Sequence, residues 1–142
     1  MKRSKLQPLA KYRFYFKTHV RITDLNYANH LGHDTMVTLL HEAKAQMFKA
    51  LDVSDNDLGD GKTGYVMADL QMNYLHESFA FDELEIYSDI EEISNRSFRI
   101  FQAIYKDSNL IALGESGCVS FDFEKRQAVA IPTNFINKLA NY

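Results

Sequence analysis

The chain has a single cysteine, Cys118, among 142 residues. An internal disulfide is therefore excluded, and a reducing, cytoplasmic setting is the simplest expectation. Apolar runs of membrane-spanning length are missing. The N-terminal stretch "MKRSKLQPLAKYRFYFK" has neither the continuous apolar segment nor the small-residue cleavage site of a secretory leader. Low-complexity segments and internal repeats are also absent, and with 46% hydrophobic and 25% charged residues the composition favours ordinary packing over disorder. The length suits one domain, 1–142, with one core.

Acid is missing from the first 22 residues, which hold seven of the sixteen Lys and Arg residues. A basic arm, 1–11, can meet the phosphates of a nucleic acid or of a phosphorylated cofactor, or it can be a solvated edge whose lysines resist aggregation. The rest of the chain is acidic and lacks the basic, aromatic-studded sheet of an RNA binder. No nucleic-acid partner and no membrane is expected.

What is present is strong periodicity. From Tyr12 to Thr23 the apolar and polar residues alternate as in a half-buried strand. Met36, Leu39, Leu40, Ala43, Met47 and Leu51 recur every three or four residues, predicting a helix of four to five turns, with Asp34 or Thr35 as a cap. Its neighbours in sequence are also largely apolar, so the helix reads as hydrophobic on nearly all sides. "DVSDNDLGDGKTG", 52–64, reads as a surface loop. Four strands follow at about 65–74, 83–93, 97–105 and 110–123, with "KDSN" as a hairpin turn between the last two, and a short helix closes the chain from 133.

One strand, one long helix and four further strands predict an α+β fold, a five-stranded antiparallel sheet wrapped around a central helix. A helix apolar all round and a sheet with open edges imply burial against a second copy, hence a homodimer, possibly a homotetramer.

The residues with chemistry to offer crowd into "DLNYANHLGHDTMVTLLHEA", 24–43. The unpaired N–H groups and positive dipole end of the helix near Gly32, His33 and Asp34 can polarise a carbonyl. His30 can carry a proton near neutral pH. Glu42, among Leu39, Leu40 and Ala43, is a carboxylate on a helix expected to be buried, where its pKa would rise toward that of a general base; the plainer alternative is an exposed or dimer-facing carboxylate paired with a cation. Asp69 in "VMADLQMNY" is an acid inside an apolar strand. "HLGH" fits no common zinc spacing, and no metal is expected. "GESGC", 114–118, lacks the last glycine of a nucleophile elbow and reads as a strand whose small residues admit a close neighbour; Cys118 reads as buried and inert.

The stretches "VRITDLNYANHLGHDTMVTLLHEAKAQMF", "MNYLHESFAFDELEIYSDI" and "SFDFEKRQAVAIPTNF" together resemble the hotdog-fold thioesterases, in particular the 4-hydroxybenzoyl-CoA thioesterase-like branch. The resemblance implies hydrolysis of an acyl-CoA thioester at sites between two subunits, with coenzyme A as part of the substrate and no separate cofactor. Many members carry Asp-x-Asp before the helix, the second aspartate acting as base or nucleophile. Asp24 and Asn26 hold those positions, so the usual carboxylate is replaced by an amide that cannot ionise.

His30 falls where plant acyl carrier protein thioesterases have a functional histidine. His33 and Glu42 have the nine-residue spacing of another branch's His-Gly-Gly motif and helix acid. Glu42 of the same chain would lie ~13 Å from the helix start, so either the carboxylate comes from the partner subunit or the reacting pair is Asn26 and His30, with Asp69 another source of the acid that activates water; Gly32, His33 and Asp34 are expected to hold the substrate. For the coenzyme, the resemblance points to Arg96 and Ser97, or to Lys125 and Arg126. Two alternatives are a non-hydrolytic acyl-thioester-binding hotdog protein or related dehydratase, and an interaction module using the basic arm.

Overall fold

The alternation that starts at Tyr12 is the burial pattern of the folded chain, but only as far as Val20. In the computed structural model, which describes residues 1–142, Phe14 and Val20 face the core while Arg13, Tyr15, Lys17 and His19 face out. The first strand, β1, covers Phe14–His19, and the chain then turns through a short 3-10 segment, Ile22–Asp24, that leaves Ile22 exposed. The other elements are α1 (His33–Ala50), β2 (Thr63–Tyr74), β3 (Glu83–Glu91), β4 (Ser97–Lys106), β5 (Asn109–Asp122), β6 (Gln127–Ala128) and α2 (Thr133–Ala140). The expected five strands are present. The two-residue β6, paired with β5, is an addition too short to register as a pattern.

All pairings are antiparallel, in the order β1-β3-β4-β5-β2. The β4–β5 hairpin turns on Asp107 and Ser108, both with positive φ (48° and 68°), the conformation whose twist matches the flanking strands. α1 lies on the concave face. Close approach is possible because β5 has glycine at 114: a Cβ there would lie 2.5 Å from Leu40 Cδ1. Gln102, buried on β4, donates to the carbonyl of Leu40 (2.9 Å) and to Ser88 Oγ (3.0 Å), fixing the helix centre on the sheet. At the other end of the core, α2 inserts Phe135 and Leu139 beside Phe48 and Phe98.

The helix is not apolar on all sides. Met36, Leu39, Leu40, Ala43, Met47 and Phe48 form one buried stripe, while His33, Asp34, Thr38, His41, Glu42, Gln46 and Lys49 face out. The buried charge on it is Lys44, which donates to the Tyr65 hydroxyl and lies 3.4 Å from Asp55 Oδ2. Neither Asp34 nor Thr35 caps it. Gly32 is the N-cap residue, without a side-chain bond.

β2 contains a bulge between Met67 and Asp69. Because strand side chains alternate, the extra residue, Ala68, reverses which parity faces the helix. Tyr65 and Met67 pair with Ser120 and Cys118, whereas Asp69 pairs with Gly117 on the convex face. The convex face also carries the N-terminal arm. Leu9 and Tyr12 lie with Tyr87 and Tyr105 around a cavity of about 350 Å³, and the Asn73 amide on β2 binds Ser4 and Leu6. The arm thus crosses the sheet from β3 to β2. No helix is long and apolar enough to cross a membrane.

Candidate functional site

The loop from Asp24 to Gly32 is held from within. Asp24 is 3% exposed and turns its carboxylate back onto Arg21, accepting from the backbone N–H (2.8 Å) and the guanidinium (3.1 and 3.3 Å). Burial pushes this carboxyl up, but the Arg21 hydrogen bonds and charge together outweigh it and hold it below the usual range. Asp24 is therefore occupied as the loop's anchor.

Asn26 starts the tight turn. Its backbone N–H donates to the carbonyl of His30 (2.8 Å), and its side-chain oxygen accepts from the N–H of Ala28 (2.9 Å) and of His30 (3.3 Å). Asn29 closes the turn at φ 66°, a left-handed conformation that asparagine tolerates. An aspartate could accept the same two bonds on one oxygen and present the other as a base. With its oxygen engaged, Asn26 presents NH₂ donors instead.

A cleft of about 290 Å³ opens beside this turn, lined by Asn26, His30, Leu31, His33, Met36 and the segment Tyr74–Glu77. The uncapped first turn of α1 lies along it, its backbone N–H groups without protein partners. Tyr74 donates to the carbonyl of His33 (3.1 Å); burial, then the Asp34 charge, raises its phenol above the ordinary value, which favours the donor form. Gly32 is wedged in place: a Cβ there would meet Asp34 Oδ1 at 2.5 Å and Asn26 Cβ at 3.5 Å.

Three expected residues, Asn26, His30 and His33, thus meet in one cleft, whereas Gly32 and Asp34, on either side of His33, do not line it. Sequence reading missed Tyr74, His76 and Glu77. Glu77 is the carboxylate in the cleft: its Oε1 lies 3.7 Å from His30 Nε2, and Phe79 meets the same imidazole edge-on at 6.0 Å. A hydrogen bond from Leu31 N–H to the Ser78 carbonyl (2.8 Å) joins the two segments. Nothing local in the sequence connects position 30 to position 77. The hint available was an acid just after the end of an apolar strand.

Glu42 is not buried. It lies on the exposed stripe of α1, accepting from Gln46 Nε2 at 3.0 Å, about nine residues, or ~13 Å, along the helix from the cleft. Asp69 is not free either. The bulge turns it to the convex face, where Arg99 grips it at 2.8 and 3.0 Å. That hydrogen bonding holds the Asp69 carboxyl below its usual range, the opposite of a raised base. Gly117 makes the grip possible, since a Cβ there would lie 2.6 Å from Arg99 Nη1.

The expected coenzyme residues lie at the opposite end of the sheet. Ser97 pairs with Val119, whereas Tyr74 pairs with Ala112; the seven residue steps along β5 from Ala112 to Val119 span ~24 Å. The Ser97 hydroxyl is 2.7 Å from that of Ser94. Lys125 and Arg126 belong to the β5–β6 turn, with the Arg126 guanidinium over the Phe121 ring.

A sheet wrapped on one helix, with a donor-rich cleft at the helix N-terminus, defines the hotdog class. The model of the thioesterase-like superfamily matches residues 20–139, and the chain belongs to that superfamily. Solved structures agree on the fold. The 1,4-dihydroxy-2-naphthoyl-CoA thioesterase Slr0204 from Synechocystis superposes with a TM-score of 0.81 at 16% identity, over 90% of this chain and 96% of that one. The gentisyl-coenzyme A thioesterase BH1999 gives 0.76 at 19%, over 88% and 98%. YbaW, a probable thioesterase from Escherichia coli, gives 0.76 at 21%, over 89% and 96%. No curated protein matches the sequence.

Proposed function

We propose that the chain is an acyl-CoA thioesterase that works as a homodimer, releasing a free acid and coenzyme A. The observation that carries this reading is the convergence, in one cleft, of an uncapped helix N-terminus, the free amide donors of Asn26, and a histidine facing a carboxylate. The thioester carbonyl oxygen is held by the first-turn N–H groups of α1 and by Asn26 Nδ2, which together stabilise the oxyanion. His30 takes a proton from water as its oxygen attacks the carbonyl carbon. The carbon–sulfur bond then breaks, and the proton passes to the leaving thiolate.

The open edge of β2 supports the dimer. The strand is 12 residues long and its outer edge is unpaired. Val66, Met67, Leu70 and Tyr74 are exposed along it, and its single charge, Asp69, is drawn away by Arg99. Such an edge calls for a partner strand. An antiparallel pairing with a second copy would carry that copy's β5 end, with Arg126, toward the cleft and place the site between subunits.

The test is thiol release across short, long and aromatic acyl-CoAs, for the wild type and for Asn26→Ala and His30→Ala. Turnover by the wild type, reduced about a hundredfold or more in the variants, is expected. The amide at position 26 favours one competing reading, a non-hydrolytic acyl-thioester binder. Tight acyl-CoA binding without thiol release would establish that reading instead.

A further inference from the structure

We infer that the N-terminal arm is a phosphate clamp, in which Lys2, Arg3 and Lys5 hold the diphosphate and 3′-phosphate of coenzyme A at the mouth of the same chain's cleft. The inference rests on the acyl-CoA reading above and adds a binding element to it. Three observations carry it.

The first is the path of the arm. From Tyr12 it runs over Tyr87 and Tyr105 to β2, where Asn73 Oδ1 accepts from Leu6 N–H at 2.7 Å and Asn73 Nδ2 donates to the Ser4 carbonyl at 2.8 Å. The amide bridges the two neighbours of Lys5 as a strand backbone would. Asn73 immediately precedes the Tyr74–Glu77 rim of the cleft, so the clasp anchors the arm, from the convex side, one residue from that rim.

The second is that these cations are uncommitted. Lys2, Arg3 and Lys5 are all exposed, and none takes part in the ion pairs that engage Arg13, Lys17, Arg21, Lys44, Arg99, Lys106 and Lys138. The third is local electrostatics. Glu77 in the cleft and Asp34 beside it would repel a polyanionic ligand, and no lysine or arginine of the folded core lines it. Three free cations on the arm clasped beside that rim would reverse the sign where the phosphates must pass.

The substrate pair that tests this is one acyl group carried by coenzyme A or by N-acetylcysteamine, which keeps the thioester and removes every phosphate. In a Lys2→Gln/Arg3→Gln/Lys5→Gln variant, the preference for the coenzyme A thioester in kcat/KM should fall about tenfold, the product of three modest exposed charge contacts. Asn73→Ala, which opens the clasp with the charges intact, should reproduce much of that loss. An unaltered preference in both variants overturns the proposal. So does a loss that follows Lys125→Gln/Arg126→Gln instead, or tighter binding of a single-stranded RNA than of coenzyme A. If the wild type releases no thiol from either substrate, the thioesterase reading fails on its own. Calorimetric binding of coenzyme A then decides the clamp, which predicts about tenfold weaker binding by the triple variant and is overturned by equal binding.

Discussion

Glu77 Oε1 stands 3.7 Å from His30 Nε2, in a chain whose loop offers an amide, Asn26, at the position where the resemblance leads one to expect a carboxylate. In the proposed mechanism the pair makes up for that exchange: with one imidazole nitrogen facing Glu77, the other is left to take a proton from water, and the carboxylate stabilises the imidazolium that results. Glu77 acts here as a positioning residue. Glu77→Gln should lower kcat about 10- to 100-fold with little change in KM, and the double variant with His30→Ala should be no slower than His30→Ala alone. Full kcat in Glu77→Gln, or strictly additive losses, would remove Glu77 from the mechanism.

The seat of the helix depends on a missing side chain. A Cβ at Gly114 would press on Leu40 Cδ1, and Leu40 is itself only 3% exposed and has no room to retreat. Gly114→Ala should cost about 1–3 kcal/mol, seen as a lower urea midpoint at unchanged slope. Leu40→Ala should be destabilising alone but less so in combination, because one substitution vacates the space that the other fills. Additive losses would show that the contact is not what limits residue 114.

Much of this architecture was legible as periodicity. The alternation in β1 and the 3–4 spacing in α1 are direct records of which face is buried, and the Asp-Ser turn follows from its hairpin context. The site was legible only where its residues are close in sequence, as Asn26, His30 and His33 are. Glu42 misled because its immediate neighbours are apolar, whereas a helix buries a stripe rather than a segment: position 42 falls outside the stripe and position 44 within it. Asp69 misled because a bulge one residue earlier reverses the facing of the strand. Glu77 could not be found at all, since its partnership with His30 arises from a backbone bond between Leu31 and Ser78.

Cys118 offers a simple check of core packing. It lies 1% exposed on β5 beside Phe98, and burial pushes its thiol up to about 12. A thiol reagent at pH 8 should therefore label the folded chain at a rate limited by unfolding, and label it at once in denaturant. Rapid labelling of the native protein would mean that the β2–β5 region opens readily.

The loop's anchor should make stability acid-sensitive. Folding holds the Asp24 carboxyl below its ordinary value of about 3.9, because the bonds from Arg21 outweigh the burial that opposes them. The ionised form is thus favoured in the folded state, and the stabilisation is complete above the unfolded value. It is lost as pH falls through the lower, folded value, where the carboxyl takes up its proton and the pairing with Arg21 ends. Asp24→Asn keeps the shape and one acceptor but not the charge. It should be less stable than wild type by about 1 kcal/mol at pH 7, and the two chains should converge as the pH falls through the lowered, folded value. Because Asp24 also accepts from Gly32 N–H through its carbonyl (3.3 Å), loosening it should disturb the cleft as well as the fold, and kcat should fall with stability. Urea titrations at several pH values, run beside thiol-release assays, measure both. A gap that does not narrow as the pH falls below the ordinary carboxyl value would mean that shape, rather than the charge of Asp24, holds the loop in place.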